Sequence, residues 1–192
     1  MDIRDYLATG RVDLQGLKGH LDGLDDQSRV AAVRSLGPTQ QALLFEAAAD
    51  AALTDTAHLV PAGTPVWHGV VHAGRNSLPL LSRFEKRFLR TDLGEVFGHN
   101  RHVLSPLVGP GYFGVARTER GFLVIDYARL PDMAPQGWPA VRSNSARLGR
   151  FVYDRTTDAL RAVSGHVTVG RASRDGRALD AWFVLCRRTP DA

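Results

Sequence analysis

The sequence predicts an α+β fold: a small N-terminal helical region packed on an antiparallel β-meander of about eight strands, forming a barrel or a strongly curved sheet. Three observations carry this. Apolar residues recur at helical spacing up to residue 60 and at strand spacing beyond it. Most of the extended segments follow one another through short hairpin turns. No clear helix separates one segment from the next, which argues against a parallel α/β sheet.

In the N-terminal region (1–60), Leu14, Leu17, Leu21 and Leu24 form one apolar stripe at 3-4-3 spacing, with Asp13 placed to cap the helix. Gly16, Gly19 and Gly23 weaken its intrinsic propensity, so the helix must depend on packing. Asp25 or Asp26 caps a second helix with Val30, Val33 and Leu36 inward, ended by Gly37 in the C′ role. Pro38 opens a third helix, apolar at Leu43, Leu44, Ala47 and Ala51. Thr54 to Pro65, with its prolines and glycine, reads as a linker.

In the β region (61–192), the expected strands run over Val66–His72, through Phe84–Phe88, and over Glu95–His99, Gly111–Arg117 and Phe122–Tyr127. Further strands are expected over Arg150–Tyr153, Leu160–Gly170 with Val167–Ala172, and Ala178–Cys186. Turns are expected at Thr91–Gly94, Thr118–Gly121, Asp154–Asp158 and Asp175-Gly176, the last being the best hairpin signal. The segment 130–148, with Pro131, Pro135 and Pro139, reads as a long ordered loop placed to act as a lid.

Composition bounds the function. An apolar fraction of 44% and a charged fraction of 23% are those of an ordinary globular protein, and 192 residues suffice to bury a core without disulfides or metal. The single cysteine, Cys186, suits a reducing compartment. The first residues carry acidic groups rather than a signal-peptide pattern, and no window approaches the ~20 apolar residues of a membrane span. A cytoplasmic location is expected. The net charge of +4 hides an asymmetry: residues 1–60 hold five basic against nine acidic groups, and the remaining 132 hold 19 against 11. Of the 24 basic residues only Lys18 and Lys86 are lysine. Guanidinium groups favour carboxylate or phosphate partners, so an anionic ligand or a nucleic acid competes with a plain solvated surface.

The sequence carries no GxxxxGK[ST], GxGxxG, HExxH, paired CxxC or GxSxG signature, and no cofactor or metal is expected. The stretch Pro65–Arg90 is the first place to look for a site. On a strand, His68 and His72 lie on one face but ~13 Å apart, too far to share an ion. The simplest placement puts both on the solvated face with Trp67 and Val71 in the core; turned inward, they and Asn76 would help line a ligand cavity. Arg83, Glu85 and Arg87 share one face of the next strand and Phe84 and Phe88 the other. The phenylalanines are the better core candidates, yet Lys86 lies between them, where a dry core has no place for it. Turned inward, the Arg-Glu-Arg row would serve an acidic ligand, with Glu85 as a possible general base. His99 completes the candidate ligand-binding set of His68, His72, Asn76, Arg83, Glu85, Arg87 and His99. Asp126, in an apolar run, is the carboxylate most in need of a buried partner. Cys186 reads as a structural thiol.

Three functions follow as expectations. The first is a binding protein for a small anionic or amphipathic molecule, held in a barrel-like cavity under the 130–148 loop. The second is a metal-independent enzyme (cyclase, isomerase or hydrolase) using histidine with Glu85 or Asp126 in the same cavity. The third is an RNA- or protein-binding module using the arginine-rich face, although no nucleic-acid motif supports it.

Overall fold

The computed structural model describes residues 2–8, 11–79, 82–146 and 148–189. A short ladder of β1 (Leu7–Ala8) and β2 (Arg11–Val12) precedes three helices, α1 (Leu14–Gly23), α2 (Asp26–Ser35) and α3 (Pro38–Ala47). Asp13 caps α1 by accepting from the Gly16 amide, and Asp25 caps α2 through Ser28. Gly37 departs from expectation: its φ of −80° is not left-handed, and it starts α3 rather than closing α2.

Eight antiparallel strands then close into a barrel: β3 (Val70–Asn76), β4 (Arg83–Arg90), β5 (Val96–His102), β6 (Tyr112–Arg117), β7 (Leu123–Asp126), β8 (Thr156–Ala162), β9 (Val167–Arg174) and β10 (Arg177–Arg187). Each strand pairs with the next in sequence, and β10 returns to β3 to complete the ring. Closure leaves the sheet with no free edge. The turns at Thr91–Gly94, Thr118–Gly121 and Asp175-Gly176 fall where the sequence places them. Asp175 (φ 50°) and Gly176 (φ 75°) both adopt the left-handed conformation that a two-residue hairpin demands.

Strand alternation divides the hydrophobic residues into two cores. The inward faces supply the first, with Val70, Phe84, Phe88, Phe113, Ile125, Leu160, Phe183 and Leu185 filling the barrel. The outward residues Val167, Val169, Val184 and Cys186 form the second, with Leu17, Leu21, Val33, Leu36 and Leu44 of the helices over them. Cys186 is fully buried there, and burial pushes its thiol up to about 11, as fits a structural role.

Arginines tie the helices to one another and to the barrel. A helix leaves its last carbonyls without partners, and here a guanidinium meets each of the three C-termini. Arg29 donates to Leu21 and Leu24 at the end of α1, Arg75 to Arg34 and Ser35 at the end of α2, and Arg161 to Phe45 near the end of α3. Arg161 also lies over the Phe45 ring, 3.8 Å from its centroid. Two arginines of the β region, Arg75 and Arg161, are therefore structural.

The structure revises other expectations. Residues 54–65 are not a free linker: Leu53, Leu59 and Val60 plug one end of the barrel and are buried in its core. Trp67 has φ 62° and lies in a turn, so β3 begins at Val70 rather than Val66. Arg150–Tyr153 is not a strand; Gly149–Val152 forms the short helix α5. Leu160–Gly170 is two strands, parted by a turn at Ser164-Gly165, and β8 begins within the expected Asp154–Asp158 turn. A further short helix, α4 (Ser105–Val108), follows β5.

Candidate functional site

Opposite the plugged end, the barrel opens into a chamber of about 370 Å³. Phe84, Phe183, Tyr153 and Val152 are among its apolar walls, and Phe151 and Leu78 stand at its mouth. The size falls within the range of small-molecule sites. At its floor lies Lys86, only 1% exposed. Residues 84, 86 and 88 all point inward, because strand alternation puts Phe84 and Phe88 in the core and carries Lys86 with them.

The Lys86 Nζ donates to Asn100 Oδ1 at 3.0 Å, Tyr127 Oη at 2.6 Å and Asp158 Oδ2 at 3.2 Å. These three acceptors use all three ammonium donors. The rings of Phe113, Phe183, Tyr127 and Phe84 surround the nitrogen at 4.9 to 5.7 Å, adding cation–π attraction in a desolvated setting. Burial drives the Lys86 pKa down, and the Asp158 carboxylate opposes it. Burial, with Asp158 beside it, holds the Tyr127 hydroxyl well above its ordinary pKa, so it stays neutral and donates to Asp158 at 3.4 Å.

Neighbouring groups fix this cluster. Asn100 Nδ2 donates to Tyr127 Oη and to the Gly111 carbonyl, at 3.0 and 3.1 Å. Gly111 has φ 55°, and a Cβ there would stand 2.4 Å from the Tyr153 ring, so the position admits only glycine without rearrangement. Tyr153 stacks on Tyr127 at 5.2 Å and its hydroxyl meets His102 Nε2 at 2.9 Å. Burial lowers the His102 pKa, which favours a neutral ring.

The chamber therefore combines apolar walls with a polar floor whose two charges cancel. Among the described hydrogen bonds, Asp158 Oδ2 accepts from Lys86 and Tyr127, whereas Oδ1 takes none.

The residues singled out from the sequence do not share one site: Asn76 lies on the chamber, while Arg87 and His99 meet at an outer groove. His72 faces inward, opposite Lys86 across the β3–β4 ladder, but it is fully buried and Nε2 meets the Leu59 carbonyl of the plug at 2.8 Å. Its neighbour Val71 points outward, which reverses the simplest facing. His68 is exposed and precedes β3. Arg83, Glu85 and Arg87 face away from the chamber, where Glu85 pairs with Arg87 at 3.1 Å and Arg101 at 3.8 Å. Glu85 thus cannot act as a base inside the barrel.

His99 also lies on the outer face, packed 4.6 Å from Trp138. It borders an outer groove of about 710 Å³ with Arg87, Arg101 and Arg142. Asp126 is only half-buried, and its carboxylate accepts from the Ala128 amide. Among the described residues, the buried aspartate is Asp158.

The 130–148 loop does not cover the chamber; Gly137, Pro139, Ala140 and Arg142 instead line the outer groove beside His99 and Arg87. Tyr112 donates to the Pro139 carbonyl at 2.6 Å, Asn144 donates to the carbonyls of Tyr112 and Tyr127, and Trp138 covers Gly69. These contacts lay the loop on the barrel's outside, and no described residue of it lines the chamber. The mouth is framed instead by α5 and residues 179–183.

Lys86 was visible in the sequence as an anomaly between two core phenylalanines; Asn100, Tyr127 and Asp158, from three other strands or strand ends, carried no local signal. Among the described residues, no cluster of three or more His, Cys, Asp or Glu side chains could hold a metal, and no helix is long and apolar enough to cross a membrane. No protein-family model matches the chain, and neither a curated protein nor a solved structure matches it. The class defined by fold and site is a closed eight-stranded antiparallel barrel with an internal, mouth-accessible chamber.

Proposed function

We propose that the protein binds a small amphipathic molecule in the barrel chamber, its apolar body against Phe84, Val152 and Phe183 and its polar head on the floor. The observation that carries this reading is the buried Lys86–Asp158 pair at the bottom of a predominantly apolar, open chamber, with Arg174 and Asp180 among its other lining residues. Two ions taken out of water cost more than a well-packed apolar pair in the same space, so stability alone does not account for them. Because the two charges cancel, a neutral head with a hydroxyl or carbonyl suits the floor better than an anion does. A hydroxyl can donate to the free Asp158 Oδ1.

Thermal unfolding in the presence of n-alkanols from hexan-1-ol to dodecan-1-ol tests this. A hundredfold excess over Kd adds about 2.7 kcal/mol to the folded state. Melting temperature should rise with chain length and then level off as the chamber fills, and Lys86→Met should weaken the effect. A series that leaves the melting temperature unchanged at every chain length sinks the proposal.

A further inference from the structure

Resting on the reading that the chamber takes a small amphipathic ligand, we propose that Lys86 captures ligands bearing an aldehyde as a reversible covalent imine. The position is unusual within this chain. Twenty-two of its 24 basic residues are arginine, and the other lysine, Lys18, is exposed on α1. Arg174 also lines the chamber, but beside Asp158 the chain carries a primary amine, which can release its proton and act as a nucleophile, where a guanidinium could not. Lys86 lines the open chamber, so a carbonyl carbon entering along the apolar walls meets Nζ at the floor.

The partners needed for the proton transfers are in place. Asp158 Oδ2, at 3.2 Å, takes a proton from the ammonium and frees the nitrogen lone pair. The amine attacks the carbonyl carbon, forming the C–N bond while the C=O π pair moves to oxygen, which takes the proton back from Asp158. The resulting carbinolamine passes its second N–H proton to Asp158, which delivers it to the hydroxyl. That group leaves as water while the nitrogen lone pair closes the C=N bond, which gives the iminium directly with its one remaining N–H. The sum is one ammonium and one aldehyde giving one iminium and one water, with no oxidant or reductant. The iminium N–H remains paired with Asp158, while Asn100 and Tyr127 are released to the ligand. Desolvation of the ammonium, which raises the share of free amine, favours the first step.

The test treats the full chain with decanal, reduces any imine with cyanoborohydride and maps the modified lysine by peptide mass spectrometry, with decan-1-ol as a reversible competitor. The expected result is an adduct on Lys86 that forms at least about tenfold faster than on Lys18 at pH 7, because the chamber holds the aldehyde against Nζ. Excess decan-1-ol should protect Lys86 and leave Lys18 unprotected, and Lys86→Arg should abolish the barrel adduct. Mapping on the unsubstituted protein decides the matter even where a variant folds poorly. Modification of Lys18 alone, while decan-1-ol still raises the melting temperature, overturns the covalent step and leaves the binding reading intact. Modification of Lys18 alone with no effect of decan-1-ol overturns both.

Discussion

Replacing Asp158 with asparagine is expected to destabilise the protein by about 3–5 kcal/mol at pH 7, because it leaves the Lys86 ammonium buried without its counter-charge. Both side chains are almost wholly enclosed, at 2% and 5% exposure, so water cannot take the carboxylate's place. Urea denaturation gives the number directly. The double variant Lys86→Met/Asp158→Leu removes both ions and is expected to recover most of the loss, since an apolar pair of similar volume fits the surrounding phenylalanines. That variant should also lose response to alkanols. This separates stability from the proposed function: if both hold, the pair costs stability while serving the ligand in the chamber. A D158N loss below about 0.5 kcal/mol, the range of ordinary surface changes, would show that the pair carries no such charge.

The second large effect is acid unfolding driven by buried neutral histidines. Burial holds His72 down to about 3 and His99 to about 4, against an ordinary value of 6.5. His99 is buried at 3% exposure and His72 fully. Each imidazole takes up a proton near pH 6.5 once the chain unfolds, but only near pH 3 to 4 while folded. The unfolded state therefore binds more protons below pH 6.5. Stability is complete above that value and falls as the pH drops toward 4. At pH 5 each group contributes a loss of about 2 kcal/mol, and the two together about 4. That is a large part of the 5–15 kcal/mol typical of a folded domain. Denaturant melts at pH 7 and pH 5 measure it, and His72→Asn, which has no titrating ring, should shrink the difference by about 2 kcal/mol. An equal slope in the variant and the parent would remove His72 from the account.

How far the sequence could carry this picture depended on the range of each signal. Local chemistry was readable: Asp13 and Asp25 cap their helices, and Asp175-Gly176 turns where a type I′ hairpin needs two left-handed residues. The alternation in Phe84–Phe88 also gave the facing of β4. The misreadings share one cause, which is that a segment's partner lay far away in sequence. The plug around Leu59 and Val60 looked like a linker because its apolar residues serve a barrel built afterwards. Asp126 drew attention through its apolar neighbours, yet it sits near a strand end with its carboxylate on a turn amide. Asp158, placed in an expected turn, meets Lys86 only across the closed barrel, 72 residues away. The proline-rich loop suggested a lid by composition, but Asn144 and Tyr112 tie it to the outer wall.

Because the chain has only two lysines, the central claim can be read from a spectrum with two side-chain signals. NMR of protein labelled at the lysine ε-carbon should show Lys18 at the position of a solvated lysine and Lys86 displaced by the rings around it. Titration with decan-1-ol should shift the Lys86 signal saturably and leave Lys18 unmoved. A saturating titration in which Lys86 stays fixed, or in which both signals drift together without saturation, would contradict a ligand chamber floored by Lys86.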